Sequence, residues 1–149
     1  MKRILLALAF FSIALPAALL AQDAKTDWTI DAKNGKKLAA DGGEPWKAYM
    51  AMQKAIETGK PAEVRKHMAK SVQTEMDSEK PEDAQKMIGM LKMMQPKDLR
   101  FVEGYASADK ASLSVTGVSP MDPASKAKGS VKLVKEEASW KVLDENWKN

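Results

Sequence analysis

The hydrophobic period of the chain changes near Asp98, and this change constrains the fold more than any other feature. Before that point apolar residues recur every three or four positions, which is typical of a helix with one buried face. After it they alternate with polar residues, which is typical of a strand with one wet face. Helices that precede a run of strands indicate an α+β fold, in which the helices pack on one face of an antiparallel sheet.

Proline and glycine residues divide the first half of the chain into three predicted helices. Pro45, Pro61 and Pro81 each suit the first turn of a helix, where the missing N–H costs nothing. Gly59 suits the left-handed residue that ends the first helix, and Pro96 ends the third. The predicted apolar faces are Trp46, Tyr49, Met50, Gln53 and Ile56 in the first helix, Val64, Met68, Val72 and Met76 in the second, and Ala84, Met87, Ile88, Leu91 and Met94 in the third.

The second half predicts a curved antiparallel sheet of about four strands. The alternation places Leu99, Phe101, Glu103 and Tyr105 on one face of the first strand. The apolar residues of the later strands are Ala111, Leu113 and Val115, then Val131 and Leu133, then Trp140 and Val142, with Trp147 close behind. Helices and strands together are expected to form one domain over residues 44–149, a length that buries enough surface to fold without metal or disulfide.

The first residues predict an export signal over residues 1–21. Lys2 and Arg3 give a positive start, residues 4–20 are apolar apart from Ser12, and Ala21 is a small residue before a polar stretch. This order is that of a cleavable secretory signal, and the alternative is a retained membrane anchor. The chain has no cysteine, which excludes lipid attachment through an N-terminal cysteine. We therefore expect an exported protein, periplasmic or secreted, with no stable membrane span after cleavage.

Residues 22–43 are polar and are read either as a flexible leader or as a short hairpin. Asn34-Gly35 favours a two-residue hairpin turn, and the residues on both sides of it alternate weakly. Trp28 is the one large aromatic residue of this segment and is suspected of a contact role. Alternatively, Trp28 is a hairpin residue that folds onto the sheet.

The charge pattern argues against nucleic acid as a partner. The net charge of +4 includes Lys2 and Arg3, so it falls to about +2 once the predicted signal is removed. Lysines and carboxylates are interleaved along the chain, whereas nucleic-acid binders concentrate basic residues and mix them with aromatic ones.

Three stretches of this sequence resemble the nuclear-transport-factor-2-like superfamily, and in particular its small exported bacterial members of unknown function. They are residues 55–60 (AIETGK), residues 111–117 (ASLSVTG), and residues 129–136 (GSVKLVKE) followed by Trp140-Lys141-Val142 and Trp147. The resemblance covers residues 44–147. It implies a cone-shaped fold, in which helices close one side of a bent sheet, and a pocket inside the cone. It implies no function, because one fold hosts many.

The catalytic candidates are Glu103 and His67. Relatives that act on small molecules use a pocket-lining Asp or His as base, but no motif here maps onto those sites. Glu103 would serve if it pointed into the cone with Phe101 and Tyr105, because burial would raise its pKa. His67 is the only histidine and would need an acidic or polar partner across the pocket, such as Glu63 or Glu103. Tyr49, Phe101 and Tyr105 are the candidate pocket residues.

Methionines crowd the third predicted helix at Met87, Met90, Met93 and Met94. They are interpreted as core packing, with an adaptable apolar surface and Cu(I) binding assisted by His67 as alternatives. No phosphate loop, nucleophile elbow or metal-spaced carboxylate cluster is found in the sequence. We therefore predict no cofactor and no metal site.

These observations favour a non-enzymatic binding or interaction module. Its partner would be a protein, a peptide or an apolar small molecule. The alternative is a small pocket enzyme of the isomerase or dehydratase type. A homodimer is also considered, because Val102, Val134 and Leu143 are apolar on strand faces that would otherwise be wet.

Overall fold

The computed structural model describes residues 28–148, so the signal peptide predicted at residues 1–21 lies outside the described residues. Within them a short strand precedes the helices, and four long strands follow. The elements are β1 (Lys36–Lys37), α1 (Gly43–Thr58), α2 (Pro61–Arg65), α3 (Lys70–Asp77), α4 (Pro81–Met94), β2 (Lys97–Ala106), β3 (Lys110–Val118), β4 (Lys126–Glu136) and β5 (Ser139–Lys148). The α+β class is confirmed, as is the order of helices before the long strands.

The described sheet has five antiparallel strands in the order β1-β2-β3-β4-β5, one more than expected. The added strand takes the place of the hairpin predicted across Asn34-Gly35. Gly35 N does donate to Asp31 O in a turn at 2.9 Å, but β1 then pairs with Tyr105 and Ala106 of β2. The residues before the turn are held elsewhere, because the backbone N–H of the buried Ile30 donates to Ser112 Oγ at 2.9 Å.

The second predicted helix is divided into α2 and α3. The chain is extended at Ala69, whose N–H donates to Val142 O at 2.8 Å, while Val142 N–H donates to His67 O at 2.9 Å. Gln73 Nε2 donates to the carbonyls of Arg65 and Met68 at the break, at 3.0 and 2.9 Å. The four apolar residues predicted for this helix are nevertheless all buried. The segment between α2 and α3 therefore pairs with β5 while both helices keep their apolar faces in the core.

Helices and sheet share one hydrophobic core between them. The largest fully buried side chains are Tyr49, Met52, Met68, Ile88, Leu113, Leu133, Val64, Val115 and Val131. The apolar face predicted for the third helix is confirmed, because Ala84, Ile88 and Leu91 are buried in α4. Met87 packs against this core, whereas Met90 and Met93 are 53% and 74% exposed.

The expected shared face of Phe101, Glu103 and Tyr105 is wrong, because β2 contains a bulge at Val102. Phe101 pairs with the buried Val115, whereas Glu103 pairs with Ser114 and Tyr105 with Ser112. Neighbouring residues of β3 face opposite sides of the sheet, so the two later residues of β2 lie on the face away from the core. One extra residue in a strand moves every following side chain to the other face.

Gly129 of β4 has no room for a side chain because Trp147 lies directly beside it. A Cβ at Gly129 would sit 2.8 Å from Trp147 Cδ2. We expect Gly129→Ala to lower the free energy of unfolding by about 1–3 kcal/mol, the usual cost of overpacking. Urea unfolding followed by tryptophan fluorescence measures this change.

Gly89 in α4 provides the matched control, because a Cβ there meets no atom within 4 Å. Gly89→Ala should raise the free energy of unfolding by about 0.5–1 kcal/mol, since alanine is the better helix former. Equal effects of the two substitutions would contradict the packing assigned to Trp147.

Candidate functional site

The candidate site is an open groove of about 970 Å³ between α1, the end of α4 and the start of β2. Its size is at the upper end of the range of pockets that hold small ligands. The lining residues are Lys47, Met50, Ala51, Gln53, Lys54, Glu57, Lys92, Gln95, Pro96, Lys97, Asp98 and Leu99.

Local sequence signals form this groove. Lys47, Met50 and Lys54 recur at helical spacing on α1, next to the face that the helix buries. Pro96 stops α4 and turns the chain toward β2. Asp98 then has a positive φ of 50°, at a register irregularity that follows Lys97. Such a bend moves the start of β2 out of the regular ladder and opens space beside α1.

Basic side chains outnumber acidic ones in the groove. Four lysines line it against the two carboxylates of Glu57 and Asp98. Lys47 Nζ donates to Glu44 Oε1 at 2.8 Å, so part of its charge is already neutralised. The groove therefore carries a surplus of positive charge on an otherwise mixed surface.

Beneath α1 lies a buried polar cluster of Tyr49, Gln53, Glu145 and Trp147, which we call the Glu145 cluster. Tyr49 Oη and Trp147 Nε1 donate to Glu145 Oε1 at 2.6 and 2.5 Å. Gln53 Nε2 donates to Glu145 Oε1 and Oε2 at 3.4 and 3.3 Å. Tyr49 and Gln53 are one helical turn apart, and Glu145 and Trp147 are two residues apart on β5, so each pair shares a face.

Burial governs the protonation of this cluster. It raises the pKa of the Glu145 carboxyl, because the charged form is removed from water, although the three donors partly oppose the change. Burial also raises the pKa of Tyr49 well above 10.0, and the adjacent Glu145 carboxyl adds to this effect. Both groups are therefore held toward their protonated forms.

Gln53 belongs both to the groove and to the Glu145 cluster. Its side chain is 3% exposed, yet the residue lines the groove. Its Oε1 is the buried side-chain atom that has no hydrogen-bond partner in the described part of the chain. An unpaired buried acceptor costs about 1–3 kcal/mol, so a donor from a bound molecule would be favourable here.

The structure places the three candidate pocket residues outside the groove lining. Tyr49 is fully buried and belongs to the Glu145 cluster. Phe101 packs with its ring centroid 5.9 Å from that of Trp46. Tyr105 lies on the sheet face away from the core, opposite Ser112.

Glu103 and His67 lie at opposite ends of the sheet and are not brought together. Glu103 is exposed on β2, beyond the bulge. His67 lies beside β5, where burial and the nearby Lys141 lower its pKa. Neither residue lines the groove.

Residues 28–148 contain no group of three or more histidine, aspartate or glutamate side chains arranged to hold a metal ion. Among the same residues, no helix has the length and apolar character that crossing a membrane requires.

Trp28 is half-buried, and its ring lies 5.3 Å from Lys110 Nζ and 5.7 Å from Lys132 Nζ. These lysines belong to β3 and β4, so Trp28 contacts the sheet.

Sequence reasoning missed Glu145 and the lysines around the groove. Glu145 stands in the polar run Asp144-Glu145-Asn146, which suggests a loop rather than a buried strand. The available signal was Trp147, two residues later, since an alternating strand extended to it places Glu145 on the same face. The lysines come from three elements, and their proximity depends on the fold.

Comparisons with known proteins concern the fold alone. No protein-family model and no curated protein sequence matches the chain. A protein assigned as an NTF2-like transpeptidase from Campylobacter jejuni is similar at 17% identity and TM-score 0.48, over 68% of this chain and 98% of that one. A designed NTF2 structure has 8% identity and TM-score 0.49, over 69% of this chain and 95% of the design.

A third similar structure, assigned as a calcium/calmodulin dependent protein kinase II association domain from Xanthomonas campestris, has 15% identity and TM-score 0.39. It covers 80% of this chain and 93% of that one. With its helices followed by an antiparallel meander, this chain has an α+β fold, the class that the sequence predicts.

Proposed function

We propose that the protein is an exported, non-enzymatic binding module whose ligand site is the groove between α1, α4 and β2. The observation that carries this proposal is Gln53, which lines the groove and has a buried Oε1 without a partner among residues 28–148. A pocket with apolar lining and few convergent polar groups is the usual form of a binding site. The predicted signal at residues 1–21 supports export, to the periplasm or beyond.

Three features favour binding over catalysis. The titratable groups of the groove lining are solvent-exposed, whereas catalytic acids and bases are usually perturbed by burial. The carboxyl with a raised pKa, Glu145, is 3% exposed and already accepts three donors. Glu103 and His67, either of which an isomerase or dehydratase would use, both lie outside the groove lining.

Ligand titration monitored by amide NMR tests the proposal. The protein is produced with its own N-terminal segment, and mass spectrometry should show that the exported form begins at Gln22. A panel of short peptides and drug-sized apolar compounds is then added. We expect shift changes at the amides of Ala51, Gln53 and Lys97, which line the groove.

A substitution that fills the groove provides the control. Ala51→Trp should abolish those shift changes, because Ala51 lines the groove and the indole would occupy it. Ala62→Trp, at an exposed position of α2, should leave them intact. Shift changes confined to other surfaces, or no changes with any compound, would refute the groove as the site.

A further inference from the structure

Three of the groove lysines have charges that are free to meet a ligand. Lys54, Lys92 and Lys97 come from α1, α4 and β2, and none forms an ion pair with another residue between 28 and 148. The groove lysines outnumber the two carboxylates of the lining, Glu57 and Asp98, so the groove attracts anions more than cations. The ligand that fits them is therefore anionic at more than one point.

Apolar side chains lie between these charges. Met50 is 36% exposed, and Leu99 is half-buried and lines the groove with it. Methionine adapts its shape to different apolar partners, so this pair suits a side chain rather than one rigid molecule. The ligand is thus amphipathic, with apolar groups among the charges.

One margin of the groove is a free sheet edge. Lys97, Asp98 and Leu99 of β2 line the groove, while β1 pairs only with Tyr105 and Ala106 at the far end of the strand. Within the described chain, the edge from residue 97 to residue 103 therefore has a partner strand on the β3 side alone. An exposed edge of this kind can accept an extended chain by main-chain hydrogen bonds.

Charge restricts what this edge can accept. Lys97 and Arg100 are exposed on it beside the carboxylates of Asp98 and Glu103, and charged side chains and bulges on an edge strand oppose unspecific pairing. The surplus of lysines in the adjoining groove favours an acidic chain over a neutral or basic one. Its backbone N–H groups also supply the type of donor that Gln53 Oε1 lacks.

We propose that the groove binds an extended acidic peptide segment along the free edge of β2, with its carboxylates on Lys54, Lys92 and Lys97. Alternate apolar side chains of the peptide lie on Met50 and Leu99, since successive side chains of an extended chain point to opposite sides. This inference rests on the groove being the binding site, and it names the partner class for that site.

Competing peptides test the inference. The probe is a blocked heptapeptide in which glutamate and leucine alternate, compared with versions that carry glutamine or lysine in place of glutamate. The acidic peptide should bind roughly tenfold tighter than the glutamine version, the expected sum of a few exposed charge pairs. The difference should vanish near 1 M salt, where the Debye length falls to about 3 Å. Equal binding of the acidic and glutamine peptides would overturn the inference while leaving the groove as a site.

Matched variants locate the binding. Lys97→Glu should weaken the acidic peptide roughly tenfold, whereas Lys33→Glu, the same charge change at an exposed turn outside the groove, should have little effect. Equal losses would show attraction by net charge alone and overturn the inference. Circular dichroism of both variants checks that they remain folded.

Two further probes separate an extended peptide from other anions. Methylation of alternate backbone nitrogens in the heptapeptide should abolish binding, because the edge of β2 requires main-chain donors. Dodecanoate, an anion with an apolar tail but no backbone, should not displace the peptide. Full binding of the methylated peptide, or displacement by dodecanoate, would overturn the assignment of a peptide. If no probe perturbs the groove amides at all, the proposed function fails together with this inference.

Discussion

Replacing Tyr49 by alanine should lower the free energy of unfolding by about 3–5 kcal/mol, the usual cost of deleting a buried aromatic ring. The side chain of Tyr49 is fully buried, packs 5.6 Å from the Trp46 ring, and donates to Glu145 Oε1. The substitution therefore opens a cavity and removes one donor from a buried carboxyl. Urea unfolding at equilibrium measures the change.

Tyr49→Phe separates the two contributions. It keeps the ring and removes only the hydroxyl, and Glu145 Oε1 still accepts from Trp147 and Gln53. We expect a loss of about 1 kcal/mol, typical of one hydrogen bond. A phenylalanine variant as unstable as the alanine variant would mean that the hydroxyl, rather than the ring, accounts for the stability.

Replacing Glu145 by glutamine should stabilise the protein increasingly as the pH rises above about 4.5. Glutamine keeps an acceptor for Tyr49 and Trp147 and cannot ionise. In the parent protein burial raises the pKa of Glu145 above the ordinary glutamate value of 4.5. Between the unfolded and the folded pKa, the folded state holds a proton that the unfolded state has lost, so the parent loses stability as the pH rises.

The sign and size of this effect can be measured as a difference between two proteins. The free energy of unfolding of Glu145→Gln minus that of the parent should be flat below pH 4.5 and rise through the interval between the two pKa values. It should level off above the folded pKa, after a gain of about 1.4 kcal/mol for each unit by which burial raises that pKa. The lowered pKa values of Asp77 and Glu137 act in the opposite sense, but they cancel in the difference.

Glu103→Gln is the control for this comparison. It makes the same chemical change at a carboxyl that is exposed on β2, on the face away from the core. A flat difference for Glu145→Gln would show that burial does not raise the pKa of Glu145, and would contradict the prediction.

Local signals in the sequence were enough to predict most elements. Pro61, Pro81 and Pro96 stand at or beside helix boundaries in the structure, and Gly59 ends α1 with a φ of 69°. Such residues act through their own backbone preferences, which do not depend on distant contacts. The apolar periodicity likewise identified buried faces, because burial is the property that it reflects.

The sequence patterns did not predict contacts between distant parts of the chain. The break between α2 and α3 arises from pairing with Val142, about seventy residues later, while the apolar spacing runs through the break unchanged. The bulge at Val102 is a second example, since a strand pattern does not reveal where the partner strand slips. That single slip separated Glu103 from the core and removed the main catalytic candidate from the inner face.

The candidate site was predictable only in part. Gln53 was placed on the apolar face of the first helix. A buried side-chain amide at such a position needs a hydrogen-bond partner. That partner, Glu145, lies 92 residues away and was hidden in a polar run. In the sequence the groove lysines have the pattern of ordinary surface charges. They line one groove only because the fold brings α1, α4 and β2 close together.

The bridge between Met68 and Val142 bears on how the chain acquires its structure. The helices occupy the first half, yet the acceptor for Tyr49 and the strand that holds Ala69 both belong to β5, at the other end. A ribosome therefore releases the helical half before its anchoring strand exists. Contacts between such distant segments slow folding, because a long loop must close before they form. We infer that the helical half completes its folding only after β5 has been synthesised, and that a chain truncated before Ser139 leaves the apolar faces of its helices exposed.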